Sequence, residues 1–278
     1  MLKTRVITAL GLLAILLPIL YLHHTLAFAV VVTALFGAAV WETMRLFRPE
    51  QDTPLMGVIN FALAAAFFVY VGFLHPSNPQ FAMGLAAFLW LMKFTPSLAI
   101  GLPAFKSFAN TLLSIFYFFA LVGCFLAIIA LFQHSSLYLL SVMVIVWAAD
   151  IGAYFSGKAF GKRKLAPSIS PGKSWEGAIG GLLIVLVLAV ATVLFGGTLL
   201  ADSFVVRLQA AWGWIGLVGV LSLLVAFSVA GDLFESQLKR RAGRKDSSSL
   251  LPGHGGVLDR IDALIPVLPM AALITTWL

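Results

Sequence analysis

The stretch Gly231–Asp262, GDLFESQLKRRAGRKDSSSLLPGHGGVLDRID, decides how the rest of the chain is read. It sets Asp232 and Glu235 ahead of a basic run (Lys239, Arg240, Arg241, Arg244, Lys245), then a glycine-rich turn holding His254, then Asp259, Arg260 and Asp262. Long apolar segments flank it on both sides. A charged residue at the centre of a membrane helix costs roughly 2.5–3.5 kcal/mol, so charges pressed against hydrocarbon imply a task. If the preceding helix continues through the run, Asp232, Glu235, Ser236, Lys239 and Arg240 fall on one face at i, i+3, i+4, i+7 and i+8. Asp259 and Asp262 stand at i, i+3 if the next helix begins near Val257. Two carboxylate-bearing helix ends joined by a glycine loop can converge on one cation. Oxygen ligands of that kind favour magnesium, which takes one or two carboxylates and completes its shell with phosphate and water. The clustered bases suit the phosphates. The plainer alternative is a set of juxtamembrane charges facing water.

Composition sets the frame. Of 278 residues, 61% are hydrophobic and 10% charged, where soluble domains carry about 25% charged residues. The apolar runs are too long and too unalternated for a membrane β-barrel. The expected fold is therefore an all-α, polytopic integral membrane helical bundle of about nine transmembrane helices. The spans are expected at 1–22, 26–44, 57–74, 81–95, 108–132, 137–157, 176–199, 214–238 and 257–278, with the short 81–95 segment as a candidate re-entrant piece. Lys3 and Arg5 before the first apolar run, and Ala27-Phe28-Ala29 after it, also fit a secretory signal, but the run exceeds a signal core and a second span follows at once. With the N-terminus cytoplasmic, every one of the 18 Lys and Arg residues except Arg207 falls on the inner side, as the positive-inside rule requires. The net charge of +7 thus lies along a membrane surface, and no nucleic acid is expected as a partner. The lone Cys124 excludes an internal disulfide and reads as a buried small hydrophobe. No repeat or soluble domain is visible. The chain reads as one domain, 1–278, with 1–135 as a lipid-facing or homodimer-forming subregion and 136–278 carrying the catalytic spans.

A second informative stretch is Asp150–Gly180, DIGAYFSGKAFGKRKLAPSISPGKSWEGAIG. Asp150 lies inside an apolar segment and is expected to face the bundle interior. Lys158, Lys162, Arg163, Lys164 and Lys173 follow, a polybasic loop that either holds anionic headgroups, worth ~1 kcal/mol per base, or binds substrate. Pro171-Gly172-Lys173-Ser174 introduces the next helix, whose N-terminal amides favour anions; Ser174 serves there or as an N-cap. Gly172-Lys173-Ser174 is not a P-loop, because Pro167 stands where that motif needs glycine and no buried strand precedes it.

The run from Ser236 to Asp262 resembles the signature of the phosphatidate cytidylyltransferases, the CDP-diacylglycerol synthases. Its fixed positions are matched by Ser236, Lys239, Arg240, Lys245, Asp246, His254, Gly255, Gly256, Asp259, Arg260 and Asp262. Ser170, Pro171, Lys173, Ser174, Glu176 and Gly177 match a further element, Ser-Pro-x-Lys-Ser/Thr-x-Glu-Gly. The resemblance covers about Asp150 to Asp262; before it, only Trp41-Glu42 is similar, with Glu42 expected as a structural contact. It implies the reaction of CTP with phosphatidate to give CDP-diacylglycerol and pyrophosphate, in membrane lipid, with magnesium as cofactor and a second cation left open. Asp232 and Asp259 are then metal ligands. Asp262 and Glu235 either join them or hold Arg260, Lys239 or Arg240 in place. Lys173, Lys239, Arg240, Lys245 and Arg260 bind CTP phosphates or the lipid headgroup, with Ser170, Ser174, Gly255 and Gly256 completing the phosphate-binding set. His254 either donates to a phosphate or fixes its turn. The setting expected is a bacterial cytoplasmic membrane, with the site on the cytoplasmic face.

Three other readings compete. A CDP-alcohol phosphotransferase needs an Asp-Gly pair, and the chain has none. A lipid or dolichol kinase shares the phosphate logic. A cation or phosphate transporter would line a route with Asp150, Asp232 and Asp259, but the charges cluster at one face and no inverted repeat is evident. His23, His24 and His75 sit at expected outer ends, where interfacial exposure explains them.

Overall fold

The computed structural model describes residues 2–49, 53–74 and 79–278. His75 and the side chains of Lys3 and Arg5 lie outside the described residues. The elements in order are α1 (Leu2–Tyr21), α2 (Thr25–Phe47), α3 (Pro54–Val69), α4 (Gln80–Leu89), α5 (Thr95–Ile100), α6 (Phe108–His134), α7 (Ser136–Phe160), strands β1 (Lys164–Ala166) and β2 (Ser170–Ser174), then α8 (Trp175–Phe195), α9 (Phe204–Arg241), α10 (Leu258–Ile261) and α11 (Leu264–Thr275). Seven helical stretches are long and apolar enough to cross a membrane, and two shorter ones, Val6–Tyr21 and Leu264–Thr275, bring the described residues to the expected number of spans. The chain is a polytopic membrane helical protein.

The departures have local causes. The fourth span does not stop at 95. A π-helical turn, Trp90–Phe94, joins α4 to α5 and makes one stretch of 21 residues, Gln80–Ile100. Pro96 has no amide to donate, and a widened turn just before it absorbs the missing bond. The eighth span is longer than expected because α9 includes an outer stub, with the break at Gly213, whose φ of 65° only glycine adopts readily. The last span is divided, since α10 is a single turn ahead of α11. The expected polybasic loop is instead a two-stranded antiparallel hairpin pairing Lys164 with Ser174 and Ala166 with Ser170. Glu176 closes it, accepting from the Lys162 and Arg163 amides at 3.1 and 3.2 Å.

Packing rather than water exclusion holds helices together in lipid, and two contacts fix the orientation of the functional helices. The first is α7 against α8. A Cβ on Gly181 would meet the Ala149 carbonyl at 2.5 Å, and one on Gly177 would meet the Ala153 carbonyl at 2.9 Å, so the two backbones touch. The second is an aromatic cluster. Phe234 of α9 is fully buried among Trp90, Phe94 and Tyr117, with ring centroids 5.7, 5.0 and 5.3 Å away. Each such pair is worth about 0.5–1.5 kcal/mol. Together they set the rotation of α9 and thus where Asp232 and Glu235 point.

Several sequence expectations are met away from the site. Cys124 is fully buried, its thiol 3.8 Å from the Leu264 carbonyl. His24 caps α2 by accepting from the Ala27 amide, and His23 stacks on Phe132. Opposite the hairpin end, Asp202 ties the α8–α9 loop to the α6–α7 turn, accepting from Ser135 Oγ at 2.7 Å and Arg207 Nη2 at 3.0 Å, with His134 Nε2 at 3.0 Å. Partial burial pulls the Asp202 carboxyl upward, but these partners outweigh it and hold it below the ordinary range.

Candidate active site

One cavity of about 560 Å³ opens beside the hairpin, and it gathers residues from both informative stretches. Asp150 and Lys158 come from α7, Ser170, Gly172, Lys173 and Ser174 from β2, Asp232 from α9, and Asp259, Arg260 and Asp262 from α10 and its cap. Gly231 makes the convergence possible. A Cβ there would meet the Asp262 carbonyl at 2.4 Å and the Pro266 ring at 3.0 Å, so α9 lies directly on the α10–α11 junction. The carboxylates of Asp232 and Asp262 therefore share one wall.

The polar stripe expected on α9 divides in two. On the cavity side, Asp232 accepts from Ser236 Oγ at 3.2 Å and pairs with Lys173 Nζ at 2.6 Å. On the buried side, the fully buried Glu235 pairs with Lys239, whose Nζ also donates to Asp259 Oδ1 at 2.6 Å. Lys239 is thus a strut between two carboxylates, with its side chain 13% exposed. Arg240 and Lys245 are exposed and stand outside the cavity lining. Arg241 is turned away altogether. It donates to the Pro103 carbonyl and Asn110 Oδ1, both at 2.8 Å, and lies over Phe105, anchoring the end of α9.

The glycine turn closes on two of the protein's own carboxylates. Asp259 Oδ2 accepts from the Ser247 amide and hydroxyl, both at 2.9 Å, and from the Gly256 amide at 2.8 Å. Glu42 of α2, fully buried, accepts from Ser248 Oγ at 2.5 Å, Leu258 N at 2.6 Å, Val257 N at 3.0 Å and Ser247 Oγ at 3.1 Å. The loop between α9 and α10 is therefore wound around two carboxylates. Gly255, at φ 84°, and Gly256 have no room for a Cβ, which would fall 2.7 Å from Asp259 Oδ2 and 2.3 Å from Glu42 Oε1 respectively. These glycines admit the protein's own carboxylates.

Glu42 is the structural contact expected of it, yet its reach across the molecule to Ser247 and Val257 was not legible; a buried acid closing the second span was the only signal. Ser174 is an N-cap, accepting from the Gly177 amide at 3.1 Å, while it also lines the cavity. Arg260 Nε donates to the His254 carbonyl at 3.0 Å, and His254 Nδ1 is buried with no hydrogen-bond partner among the described residues.

Three bases (Lys158, Lys173, Arg260) and four acids (Asp150, Asp232, Asp259, Asp262) line the cavity, and one of the acids, Asp259, is already bonded to Lys239. No group of three or more close His, Cys, Asp or Glu side chains forms a metal cage among the described residues. Magnesium shared between protein and phosphate needs no such cage, and the hard oxygens of Asp232 and Asp262 fit it.

Comparison with known proteins gives the family of the chain. Residues 3–278 match the model of the cytidylyltransferase family. A phosphatidate cytidylyltransferase of Haemophilus influenzae is 38% identical, over 97% of this chain and 96% of the relative. One from Pseudomonas aeruginosa is 39% identical over 98% and 96%, and one from Bacillus subtilis 34% over 96% and 95%. The match runs through the N-terminal spans as well as the charged loops, and the chain belongs to the cytidylyltransferase family.

Proposed function

We propose that this chain transfers the cytidylyl group of CTP to phosphatidate, giving CDP-diacylglycerol and pyrophosphate. The observation that carries the reading is a charged cavity, formed by both signature stretches, set among lipid-exposed helices. A phosphate monoester has its second pKa near 6, so phosphatidate already presents a nucleophilic oxyanion at neutral pH. That oxygen attacks the α-phosphorus of CTP. A new P–O bond forms, the bond to the bridging oxygen breaks, and its electron pair leaves with pyrophosphate. No strong general base is required.

The protein's work is then to hold two polyanions in line and to disperse charge. Lys173, Arg260 and Ser170 face the cavity and are assigned to the phosphates, Lys173 exchanging its bond to Asp232 for one to substrate. Arg240 and Lys245, exposed beside the cavity, draw anions toward it. Lys239 is reassigned from phosphate to architecture by its place between Glu235 and Asp259. For the same reason Asp259, whose two oxygens accept from Lys239 and the loop, is replaced by Asp262 as the partner of Asp232 in holding magnesium. The cavity's carboxylates support the ion: they would repel two anionic substrates unless a cation lay between. Bound magnesium would supply electrophilic stabilisation of the phosphoryl oxygens. The hairpin and the glycine turn are assigned to the cytoplasmic face, where CTP is found, on the strength of the basic residues gathered there. Within this scheme spans 1–135 support the catalytic spans 136–278, through Glu42 at the glycine turn, the aromatic cluster around Phe234 and the anchor of Arg241 on Asn110.

The test is to incubate the purified protein with phosphatidate, magnesium and each nucleoside triphosphate in turn, measuring pyrophosphate and the lipid product. CDP-diacylglycerol formed from CTP is the expected result. A phosphorylated lipid and ADP from ATP would overturn the reading in favour of a kinase.

A further inference from the structure

Beside the charged cavity lies an apolar groove of about 340 Å³. The two share Leu165, Ala178, Val225 and Val229 as a common wall. Helix geometry explains the arrangement, since successive residues on α9 step by 100°. Asp232 looks into the cavity, Ala226 and Ala230 look into the groove, and Val225 and Val229 stand between them. Trp175, Ile179 and Leu182 of α8 form the facing side. Ala226 and Ile179 are exposed, so the groove is open laterally, and Trp175 at its end is also exposed. An indole in that position suits a membrane interface.

We propose that this groove holds one acyl chain of the lipid substrate while its phosphate lies at Lys173 and Asp232; this rests on the reading of phosphatidate as acceptor. Its lining argues against a nucleotide. The hydroxyl of Ser222 is already donated to the Val218 carbonyl at 2.7 Å within α9, which leaves a wall of hydrocarbon and no partner for a ribose or base. Continuity with the charged cavity argues for an amphipathic occupant whose polar end lies there. A chain moving from bilayer to groove exchanges one apolar setting for another, so the groove contributes orientation rather than affinity. The small side chains of Ala178, Ala226 and Ala230 leave the width it needs.

The experiment uses the full-length protein in detergent with dioleoyl and dihexanoyl phosphatidate. Ala226→Phe fills the groove without touching the charged cavity. The expected result is that the ratio of kcat/KM for dioleoyl over dihexanoyl substrate falls about tenfold, since misplacing the long chain displaces the headgroup. An unchanged ratio overturns the proposal. A wild-type protein that makes no CDP-lipid from either substrate overturns the phosphatidate reading itself, and the groove's role with it. If the variant is inactive on both, Ala226→Cys decides. Cys124 is fully buried, so a thiol reagent reports on position 226. Dioleoyl phosphatidate should slow its labelling and dihexanoyl should not; equal rates overturn the proposal.

Discussion

The geometry at Gly231 gives the sharpest test of how the site is assembled. In Gly231→Ala the new methyl would lie 2.4 Å from the Asp262 carbonyl, against an ordinary contact of 3.4–4 Å, with the Pro266 ring blocking the other direction at 3.0 Å. Neither neighbour is the end of a flexible side chain. The α10–α11 junction must therefore retreat by about 1 Å, a displacement that overpacking data place at roughly 1–3 kcal/mol of stability. Asp262 moves with the backbone that carries it, away from Asp232. Misplacement on that scale costs on the order of 10²-fold in rate when groups must meet in line.

Gly219→Ala provides the internal control. It makes the same substitution on the same helix, and a Cβ there meets nothing within 4 Å. Replacing a mid-helix glycine by alanine stabilises by about 0.5–1 kcal/mol, so this variant should melt no lower than wild type and turn over normally. The assay is CTP-dependent release of pyrophosphate in detergent, with thermal melts on the same samples. Gly231→Ala should lose about tenfold to a hundredfold in kcat and melt lower. Equal behaviour of the two variants would refute the argument that a bare backbone at 231 brings the two carboxylates together.

Other outcomes follow from the same contacts. Lys239→Met should leave the buried Glu235 unpaired and cost about 3–5 kcal/mol, and the double variant with Glu235→Gln should recover much of the melting temperature; a rate loss with no change in stability would return Lys239 to phosphate binding. Asp232→Asn should lower turnover on the order of 10²-fold with little change in melting, whereas Asp259→Asn should lower both, because its oxygens hold the loop. Glu42→Gln, which turns a donor toward one of the Leu258 and Val257 amides, each of which now donates to its own carboxylate oxygen, should destabilise by about 1–3 kcal/mol in a thermal melt. Chelation with EDTA should abolish turnover and magnesium should restore it; full activity in EDTA would remove the ion from the scheme.

What the sequence made legible follows from the physics of each feature. Spans are long-range averages of hydropathy, so their approximate number and places survive small errors. The convergence of Asp150–Gly180 with Gly231–Asp262 on one cavity was also readable, because charges that border lipid must share a common polar refuge. The partners within that refuge were not. Helical spacing puts Asp232, Glu235 and Lys239 on one broad face, but whether Lys239 meets a phosphate or Glu235 depends on the rotation of α9, which Phe234 sets through Trp90, Phe94 and Tyr117. Glu42 lies about two hundred residues from Ser247, and nothing local announces that pairing. The glycines were recognised as sites of close approach, yet spacing alone does not say whether an incoming phosphate or an internal carboxylate is what approaches.

Depth joins these parts into one argument. Asp150 stands ten residues before Phe160, the end of α7, and Asp232 nine before Arg241, the end of α9. At a rise of 1.5 Å per residue, both residues lie about 14 Å along their helices from those ends, at matching heights on the two helices that carry them. The hairpin carrying Lys173 and Ser170 lines the same cavity as both carboxylates, so a nucleotide that reaches them also meets the hairpin. A lipid phosphate must travel sideways and inward from the leaflet, along a wall that Val225 and Val229 share with the apolar groove. Below the interface, Coulomb attraction is less screened than in water, so an uncompensated charge is costly there. That explains why Lys239 stands between Glu235 and Asp259 before any substrate arrives. Asp150, Asp232 and Asp262 are the cavity acids outside that Lys239-bridged group.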